Sequence, residues 1–308
     1  MIILPVNLKS RWDRTPENLR GAVWMLFMAI FFVAADSIIK ILSRRLDPIE
    51  IVFFRNIFSI LWLIPAIANA GGVKAFRTNY PWLQLTRATL GGIAMICIFY
   101  SLKLLPLADA TAVMFSRALW MIPCAVLLLG ESVQWRRWTA TIVGFIGVIL
   151  MVQPTELLNF GSFKTGMIFA LTNAFLAAVI FTLIKVLKGR GESNVTILLW
   201  HASVSILLTS IPTWFLWITP TPFEILLLVA LGLIVTLAHS CLIQALAVGE
   251  ATAVTPFEYS RVLFAGLVGF IFFSEVPSIW SFLGTLVLIA SALYIAKRES
   301  LADKHHKG

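Results

Sequence analysis

The sequence is short of charge and of cysteine. Only 13% of its 308 residues are charged, about half of the roughly 25% found in soluble domains. The three cysteines, Cys97, Cys124 and Cys241, all fall inside apolar runs, which argues against a disulfide framework. The patterns G-x-x-x-x-G-K-[ST], G-x-S-x-G, H-E-x-x-H and C-x-x-C do not occur in it. These absences exclude ATP hydrolysis by this chain and give no support to an enzyme, a metal site or a cofactor.

Apolar residues dominate the sequence instead. They make up 59% of it, and the mean hydropathy is +0.92. Windows of roughly 20 apolar residues, the length that crosses a bilayer as a helix, recur along the chain. They are 21–43, 48–69, 81–103, 108–129, 137–152, 166–187, 195–217, 223–247, 252–273 and 278–296. The sequence therefore predicts an all-α integral membrane protein with ten transmembrane helices.

The two halves of the chain repeat each other at a shift of 141 to 145 residues. Equivalent positions include Cys97 and Cys241, Ser116-Arg117 and Ser260-Arg261, Lys40 and Lys185, and Glu131 and Glu275. Each half holds five predicted spans, an odd number, so the second half should enter the membrane from the opposite side. The predicted units are an N-terminal segment 1–20, a first repeat 21–152, a linker 153–165, a second repeat 166–297 and a basic tail 298–308.

The basic residues predict how the chain lies in the membrane. With the N-terminus inside, fourteen Lys and Arg fall in inner segments and four in outer loops, leaving six of the 24 within spans. This bias places both termini in the cytoplasm, in an inner-membrane protein. Because the net charge of +9 is spread through short loops, it indicates contact with membrane lipids and not with nucleic acid.

Several short motifs carry a resemblance to a known family. They are Y-S-L-K-L-L-P-L-A-D-A at 100–110, L-G-E at 129–131, G-F-I-G-V at 144–148, Q-A-L-A at 244–247, G-E-A-T-A at 249–253 and S-E at 274–275. In these the chain resembles the drug/metabolite transporter superfamily, and specifically proteins built from two EamA domains of five helices. The resemblance covers nearly the whole chain. It implies a transporter of a small molecule and leaves both the substrate and the direction of transport open.

Ionised groups inside the spans are candidates for function, because each costs about 2.5 to 3.5 kcal/mol to insert at the centre of a helix. Six basic residues, Lys40, Arg55, Arg87, Arg117, Lys185 and Arg261, stand against Asp36 and Glu258. Spacing predicts that Asp36 pairs with Lys40 and Glu258 with Arg261, each on its own helix. Lys185, Arg55 and Arg87 lie near helix ends and are predicted to reach the membrane surface, as is Lys40 if it does not pair.

Arg117 and Arg261 are the predicted centre of a binding site. Arg117 has no acid within four residues on its own helix, and Arg261 occupies the equivalent place in the other half. Inverted-repeat transporters bind their substrates between the repeats, so this pair is predicted to hold the anionic group of a substrate. The alternatives are an acidic side chain from another helix or exposed carbonyls near Pro123 or Pro256.

The predicted substrate-binding residues are those at which polar or aromatic groups fall inside spans. They are Arg117, Arg261, Tyr100, Gln244, Glu258, Tyr259, Asn173, His239, Trp120 and Asp36. Each polar residue among them has an alternative structural role, a hydrogen bond to a neighbouring helix. The alternative role of Trp120 is packing in the core. His201 and His239 lack metal-site spacing, although either could carry a coupled proton. Glu131 and Glu275 are predicted to cap a helix or anchor a loop.

The predicted function is a secondary transporter that moves a small polar metabolite across the inner membrane by alternating access. The surplus of basic residues favours a substrate with an anionic group, such as an organic anion, an amino acid or another zwitterion. Alternatives are an importer of a nucleoside-like or adenosylated amino-acid metabolite, an integral-membrane lipid-handling enzyme, and a channel. Its partners would be the substrate, a coupled proton or counter-substrate and membrane lipids, with the chain acting as a monomer or a homodimer.

Overall fold

The computed structural model describes residues 16–69, 71–129, 135–151, 161–248 and 255–306, and these form helices joined by short connections. The α-helices are α1 (Glu17–Leu42), α2 (Pro48–Asn69), α3 (Pro81–Leu104), α4 (Leu107–Met114), α5 (Arg117–Leu129), α6 (Trp135–Met151), α7 (Ser162–Gly189), α8 (Asn194–Leu216), α9 (Pro222–Val248), α10 (Ser260–Phe273) and α11 (Ile279–His306). Two 3-10 helices, Gly72–Phe76 and Thr255–Tyr259, lie between them.

Six of these helices are long and apolar enough to cross a membrane. They are α1, α2, α3, α7, α8 and α9, and each coincides with one of the predicted spans. Shorter apolar stretches, Thr141–Met151 and Ile279–Ser291, lie in α6 and α11. The chain is therefore a multi-pass helical membrane protein.

Two of the predicted spans are not continuous helices. The span predicted at 108–129 is divided between α4, which ends at Met114, and α5, which begins at Arg117. At this break the amides of Phe115 and Ser116 donate to carbonyls three residues back, which tightens the last turn of α4. In the span predicted at 252–273, a 3-10 turn containing Pro256 precedes α10, and proline has no amide to donate. Both breaks lie at the Ser-Arg pairs that the repeat makes equivalent, since the first contains Ser116 and the second ends directly before Ser260.

Helices of the first half pack mainly against helices of the second. The α1 helix packs on α9 and α10, and α7 packs on α3, α4 and α5. The α2 helix packs on α8, and α6 packs on α11. The largest buried apolar cluster draws side chains from both halves, so the two halves share one core.

The contact between α6 and α11 is made by backbone. A Cβ atom added to Gly147 would lie 2.8 Å from the carbonyl oxygen of Gly284, and one added to Gly284 would lie 2.5 Å from that of Gly147. Small residues permit this kind of close helix approach in membranes. Neither glycine can be enlarged without moving one helix away from the other.

The connecting loops meet in two groups. In the first, Arg45 donates from Nε to Glu224 at 2.7 Å and from Nη2 to the carbonyl of Thr219 at 2.8 Å. The hydrogen bond to Glu224 raises the pKa of Arg45 above its ordinary value. In the second, Glu192 accepts from the hydroxyl of Thr78 at 2.6 Å and from the amide of Gln84 at 3.1 Å. Because α2 joins the loops 43–47 and 71–80, the two groups lie at opposite ends of the molecule.

Candidate substrate site

The two broken helices meet at their breaks. The rings of Phe115 and Tyr259 lie with their centroids 4.8 Å apart. Beside them, Nη2 of Arg117 lies 3.5 Å from Oε1 of Glu258, and each of these two side chains is 25% exposed. The equivalent breaks of the two halves are thus in direct contact, with a partly accessible ion pair between them.

A second ion pair joins α10 to α1. Arg261, the second residue of α10, donates from Nη2 to Oδ2 of Asp36 at 2.5 Å, and both side chains are only 8% exposed. The guanidinium carbon of Arg261 also lies 4.7 Å from the centre of the Phe32 ring. Arg117 has a matching contact, since its guanidinium carbon lies 4.6 Å from the centre of the Phe181 ring. Both arginines are therefore held by a carboxylate and by an aromatic face.

The predicted pairs within single helices are wrong. Asp36 binds Arg261 and not Lys40, because α10 packs against that part of α1. Lys40 forms an ion pair with Glu275 and donates to the carbonyl of Leu105 at 2.5 Å. Glu258 lies in the 3-10 turn before α10, so the spacing rule of a continuous α-helix does not bring it to Arg261.

Arg117 and Arg261 both have acidic partners, which is the alternative left open for Arg117. Each has a carboxylate from another part of the chain, Glu258 for Arg117 and Asp36 for Arg261. Such pairs neutralise the charges that burial would otherwise make costly. The charges of these two arginines are thus matched by the protein itself and not by a substrate.

Within the described part of the chain, Arg55 and Arg87 are interior arginines without an acidic partner, and the prediction that they reach the membrane surface is wrong. Arg87 is 4% exposed and donates from Nη2 to the carbonyl of Ile197 in α8 at 2.8 Å. Arg55 is partly buried, with Nη1 2.8 Å from the sulfur of Met95 in α3. Neighbouring helices thus cover both side chains. Among the carboxylates that the structure describes, none forms an ion pair with either guanidinium.

Two histidines lie close to these arginines. His201 packs directly on the backbone of α3, since a Cβ at Gly91 would lie 2.8 Å from its ring, and its Nδ1 has no partner within the described part of the chain. His201 lies in the electrostatic field of Arg55 and Arg87, and His239 in that of Arg55. We call Arg55, Arg87, His201 and His239 the basic cluster.

His239 belongs to this cluster but also touches α1. Its Nδ1 pairs with the carbonyl of Val235 at 2.8 Å, and its ring meets Phe32 edge to face at 5.2 Å. The ring of Phe32 also contacts the guanidinium of Arg261, so one aromatic side chain links the basic cluster to the buried ion pair.

The other predicted site residues have mostly structural contacts. Tyr100 donates to Asp47, in the loop after α1, at 2.9 and 3.0 Å, and stacks on Phe169. Asn173 is buried and donates to the carbonyl of Ala94 at 2.8 Å. Trp120 packs edge to face on two phenylalanines, and Gln244 is exposed on α9. The structure thus gathers Asp36, Arg117, Glu258, Tyr259 and Arg261 at the breaks, and does not add Tyr100 or Asn173 to them.

Glu275 has the anchoring role that the sequence predicts. Its Oε2 accepts from the backbone amide of Leu107, the first residue of α4, at 2.7 Å, and it pairs with Lys40. It thereby ties α1 and α4 to the loop after α10. Its repeat equivalent, Glu131, and the side chain of Lys185 lie outside the described residues.

The fold and the site together define a class of protein, a multi-pass helical membrane protein with ion pairs and cations in its interior. The chain matches the model of the EamA-like transporter family twice, at residues 19–153 and 164–297, and it belongs to this family. It is thus a member of the drug/metabolite transporter superfamily, a transporter and not an enzyme.

Relatives in this family have different substrates. The chain is 29% identical to an S-adenosylmethionine uptake transporter of Rickettsia prowazekii (strain Madrid E) over 95% of its length and 98% of the relative. It is 28% identical to a riboflavin transporter of Rhizobium johnstonii, with 92% and 93% covered, and 27% identical to a pseudopaline exporter of Pseudomonas aeruginosa, with 91% and 98% covered. A protein of known crystal structure matches with a TM-score of 0.60 and 16% identity over 91% of this chain and 96% of that chain, which shows the fold alone.

Proposed function

We propose that this protein is a secondary transporter that moves a small polar metabolite by alternating access to a site between two inverted five-helix repeats. The first repeat would comprise α1, α2, α3, the broken pair α4 and α5, and α6. The second would comprise α7, α8, α9, the 3-10 turn with α10, and α11. We place the protein in the inner membrane with both termini in the cytoplasm, from the distribution of basic residues.

The observation that carries the proposal is the meeting of the two breaks. Arg117 begins α5 and Arg261 is the second residue of α10, so equivalent residues follow equivalent interruptions, and Phe115 and Tyr259 bring those interruptions together. Interrupted helices near the interface of two repeats are where transporters of this kind bind substrate, because the ends of the half-helices leave backbone groups free to bind it. The same arrangement supports a binding site here.

The positions of the loops support the inversion. In the repeat, the loop 43–47 is equivalent to the loop 190–193, since each follows the first helix of its half. Arg45 binds Glu224 at one end of the molecule, and Glu192 binds Thr78 at the other. Equivalent loops at opposite ends are what a repeat of five spans with inverted topology requires.

Helix packing supports a two-fold relation between the halves. Exchanging each helix for its equivalent turns the contact of α1 with α9 into that of α7 with α3. The contacts of α2 with α8 and of α6 with α11 stay the same under this exchange, because each joins two equivalent helices. Such a relation allows the two halves to exchange conformations, which is the basis of alternating access in inverted-repeat transporters.

We propose a zwitterionic metabolite as the substrate, with adenosylated amino acids as the first candidates. Four relatives named as S-adenosylmethionine uptake transporters match over more than nine-tenths of this chain, which favours that substrate class. The aromatic rings of Phe115 and Tyr259 at the breaks suit a cationic group, and the basic cluster suits an acidic one.

Counterflow in proteoliposomes tests the proposal. Vesicles with the purified protein are loaded with unlabelled S-adenosylmethionine or riboflavin, and entry of the labelled compound is followed against protein-free vesicles. A carrier gives transient, saturable accumulation that depends on the internal substrate. Flux that rises linearly with concentration would indicate a channel, and a chemically altered compound an enzyme. If neither these compounds nor a library of zwitterionic metabolites exchanges, the proposed function is wrong.

A further inference from the structure

We infer that the basic cluster, Arg55, Arg87, His201 and His239, forms a subsite for the carboxylate of the transported molecule. This inference rests on the proposed function, because it places the subsite on the transport route. It differs from the site predicted from the sequence, since Arg117 and Arg261 already hold carboxylates of the protein itself.

Arg55 is the first member of the subsite. Its polar contact in the interior is the thioether of Met95, 2.8 Å from Nη1. A thioether is a weak hydrogen-bond acceptor and carries no charge, so it leaves the guanidinium without compensation. Positive charge inside a membrane protein without an acidic partner is costly and marks a functional site by default. A substrate carboxylate would supply the missing charge.

Arg87, on α3, is a second buried cation without an acidic partner among the described residues. It is almost fully buried and donates from Nη2 to the carbonyl of Ile197, while its Nε has no partner among the described residues. One carbonyl satisfies part of a five-donor group and does not neutralise it. As far as the described residues show, Arg55 and Arg87 therefore bring two guanidinium groups without an acidic partner to one region of the interior.

The two histidines extend the subsite into the second half of the chain. The cations whose charge acts on His201 are Arg87 and Arg55, and those whose charge acts on His239 are Arg55 and Arg261. Of these, Arg261 alone is matched, by Asp36. Among the described residues, the surroundings of both imidazoles are thus basic, which favours an anion and excludes a cation from this position.

The repeat places this cluster at the interface of the halves. Arg55 is seven residues after the start of α2 at Pro48, and His201 is seven residues after the start of α8 at Asn194. The two residues thus hold equivalent positions in the second helix of each half.

One face of α9 carries polar side chains beside the basic cluster. Thr236, His239 and Ser240, at helical spacings of three and four, share that face and are all exposed. Each of them pairs with a carbonyl of α9 four residues back. Under the proposed function, this polar face lines the route to the cluster.

The chemistry of the cluster fits a carboxylate. A guanidinium is planar and offers two parallel N–H donors that match the two oxygens of a carboxylate. A neutral imidazole N–H can add a further donor to the same oxygens. The subsite thus distinguishes a carboxylic acid from the amine that remains after decarboxylation.

Matched pairs of amino acids and their decarboxylated amines test the subsite by binding alone. The probes are S-adenosylmethionine with decarboxylated S-adenosylmethionine, methionine with 3-(methylthio)propylamine, and histidine with histamine. The melting temperature of the purified wild-type protein is measured against the concentration of each probe, since binding to the folded state raises it. We expect the carboxylate member of at least one pair to bind, and its amine to bind at least tenfold more weakly.

Variants assign that difference to the cluster. Arg55→Gln should weaken binding of the carboxylate probe by about tenfold to a hundredfold, the range of a hydrogen bond to a charged group. Binding of the amine should not change. Arg55→Lys keeps the charge without the paired donors, so its affinity for the carboxylate probe should lie between those of the wild type and Arg55→Gln. This variant keeps the test valid if Arg55→Gln does not fold. Arg77→Gln, at an exposed arginine outside the cluster, is the matched control and should bind as the wild type.

Two results overturn the inference. One is that no carboxylate probe raises the melting temperature of the wild type more than its amine does. The other is that Arg55→Gln and His201→Gln bind the carboxylate probe with wild-type affinity. Either result leaves saturable counterflow intact if the proposed function holds, whereas loss of counterflow for all compounds contradicts that function whatever the probes show.

Discussion

The guanidinium of Arg261 and the carboxylate of Asp36 lie 2.5 Å apart in the interior, and they connect a helix of the second half to a helix of the first. This contact changes the role of Arg261. With its charge matched by the protein, Arg261 holds α10 against α1, and it leaves the binding of an anionic substrate to other residues. Its stability and transport effects can therefore be separated by mutation.

Breaking this buried pair from one side should destabilise the protein. Arg261→Gln or Asp36→Asn leaves the other charge buried without a partner, which costs about 3 to 5 kcal/mol. The double variant removes both charges and should lose less than either single variant. The measurement is the free energy of unfolding in detergent for the wild type, the two single variants and the double variant. Additive losses would mean that the two side chains do not interact.

Arg117 should behave differently, because its pair with Glu258 is longer and more exposed. A 3.5 Å contact between partly accessible side chains contributes about 1 kcal/mol or less. Arg117→Gln should therefore fold and insert normally, yet reduce counterflow at least tenfold, since Arg117 begins the helix after one of the two breaks. The control is Arg77→Gln, which should transport normally. Normal transport by Arg117→Gln would remove this residue from the site.

Enlarging either glycine of the contact between α6 and α11 should disrupt folding. In Gly284→Ala the new methyl group would lie 2.5 Å from the carbonyl of Gly147, so the two helices must separate. We expect a loss of about 1 to 3 kcal/mol, the usual cost of overpacking. Gly189→Ala is the matched control, because nothing lies within 4 Å of its Cβ position. Equal stability of the two variants would contradict backbone contact at this place.

Two substitutions of Glu275 should separate the contribution of its hydrogen bond from that of its ion pair. Glu275→Gln keeps an oxygen that can accept from the amide of Leu107 and loses the ion pair with Lys40, whereas Glu275→Ala loses both. The alanine variant should be less stable than the glutamine variant by about 0.5 to 2 kcal/mol, as for other helix caps. Thermal unfolding of both variants measures the difference. Equal losses would assign the effect to the ion pair alone.

The inverted topology can be tested by labelling equivalent loops. Single cysteines are introduced by Arg45→Cys and Arg190→Cys, in the loops 43–47 and 190–193, after the three buried native cysteines have been replaced. A maleimide that does not cross membranes should label position 45 in intact cells and position 190 only after the cells are opened. Labelling of both from the same side would contradict the inversion.

Much of the fold is predictable from the sequence, because a helix that crosses a bilayer must be apolar over about 20 residues. The six long helices coincide with predicted windows for that reason. The sequence does not predict the two breaks, since the residues that lead up to Phe115, Ala112 to Met114, are as apolar as those of a continuous helix. They depend on a tight turn in one half and on Pro256 in the other. The repeat nevertheless marks them, as both lie at a Ser-Arg pair.

The charged residues of the site were harder to predict. Spacing along one helix suggests Asp36 with Lys40, but packing between helices decides the partner and gives Asp36 to Arg261. Arg55 and Arg87 lie within two turns of helix starts, which favours the membrane surface, yet neighbouring helices cover them. One signal in the sequence points to Arg55. Once the halves are aligned by their helix starts, it takes the same position as His201, a second basic residue.

The backbone contact of Gly147 with Gly284 also constrains how the two halves can move. One of these glycines belongs to each half, and the carbonyl of each lies where a Cβ of the other would be, with the side chains of Met151 and Val287 packed beside them. The α6 and α11 helices should therefore stay together as a fixed pivot while the rest of each half rotates about it. A disulfide or chemical crosslink along this pair would then leave transport intact, whereas the same crosslink between α1 and α10 would stop it.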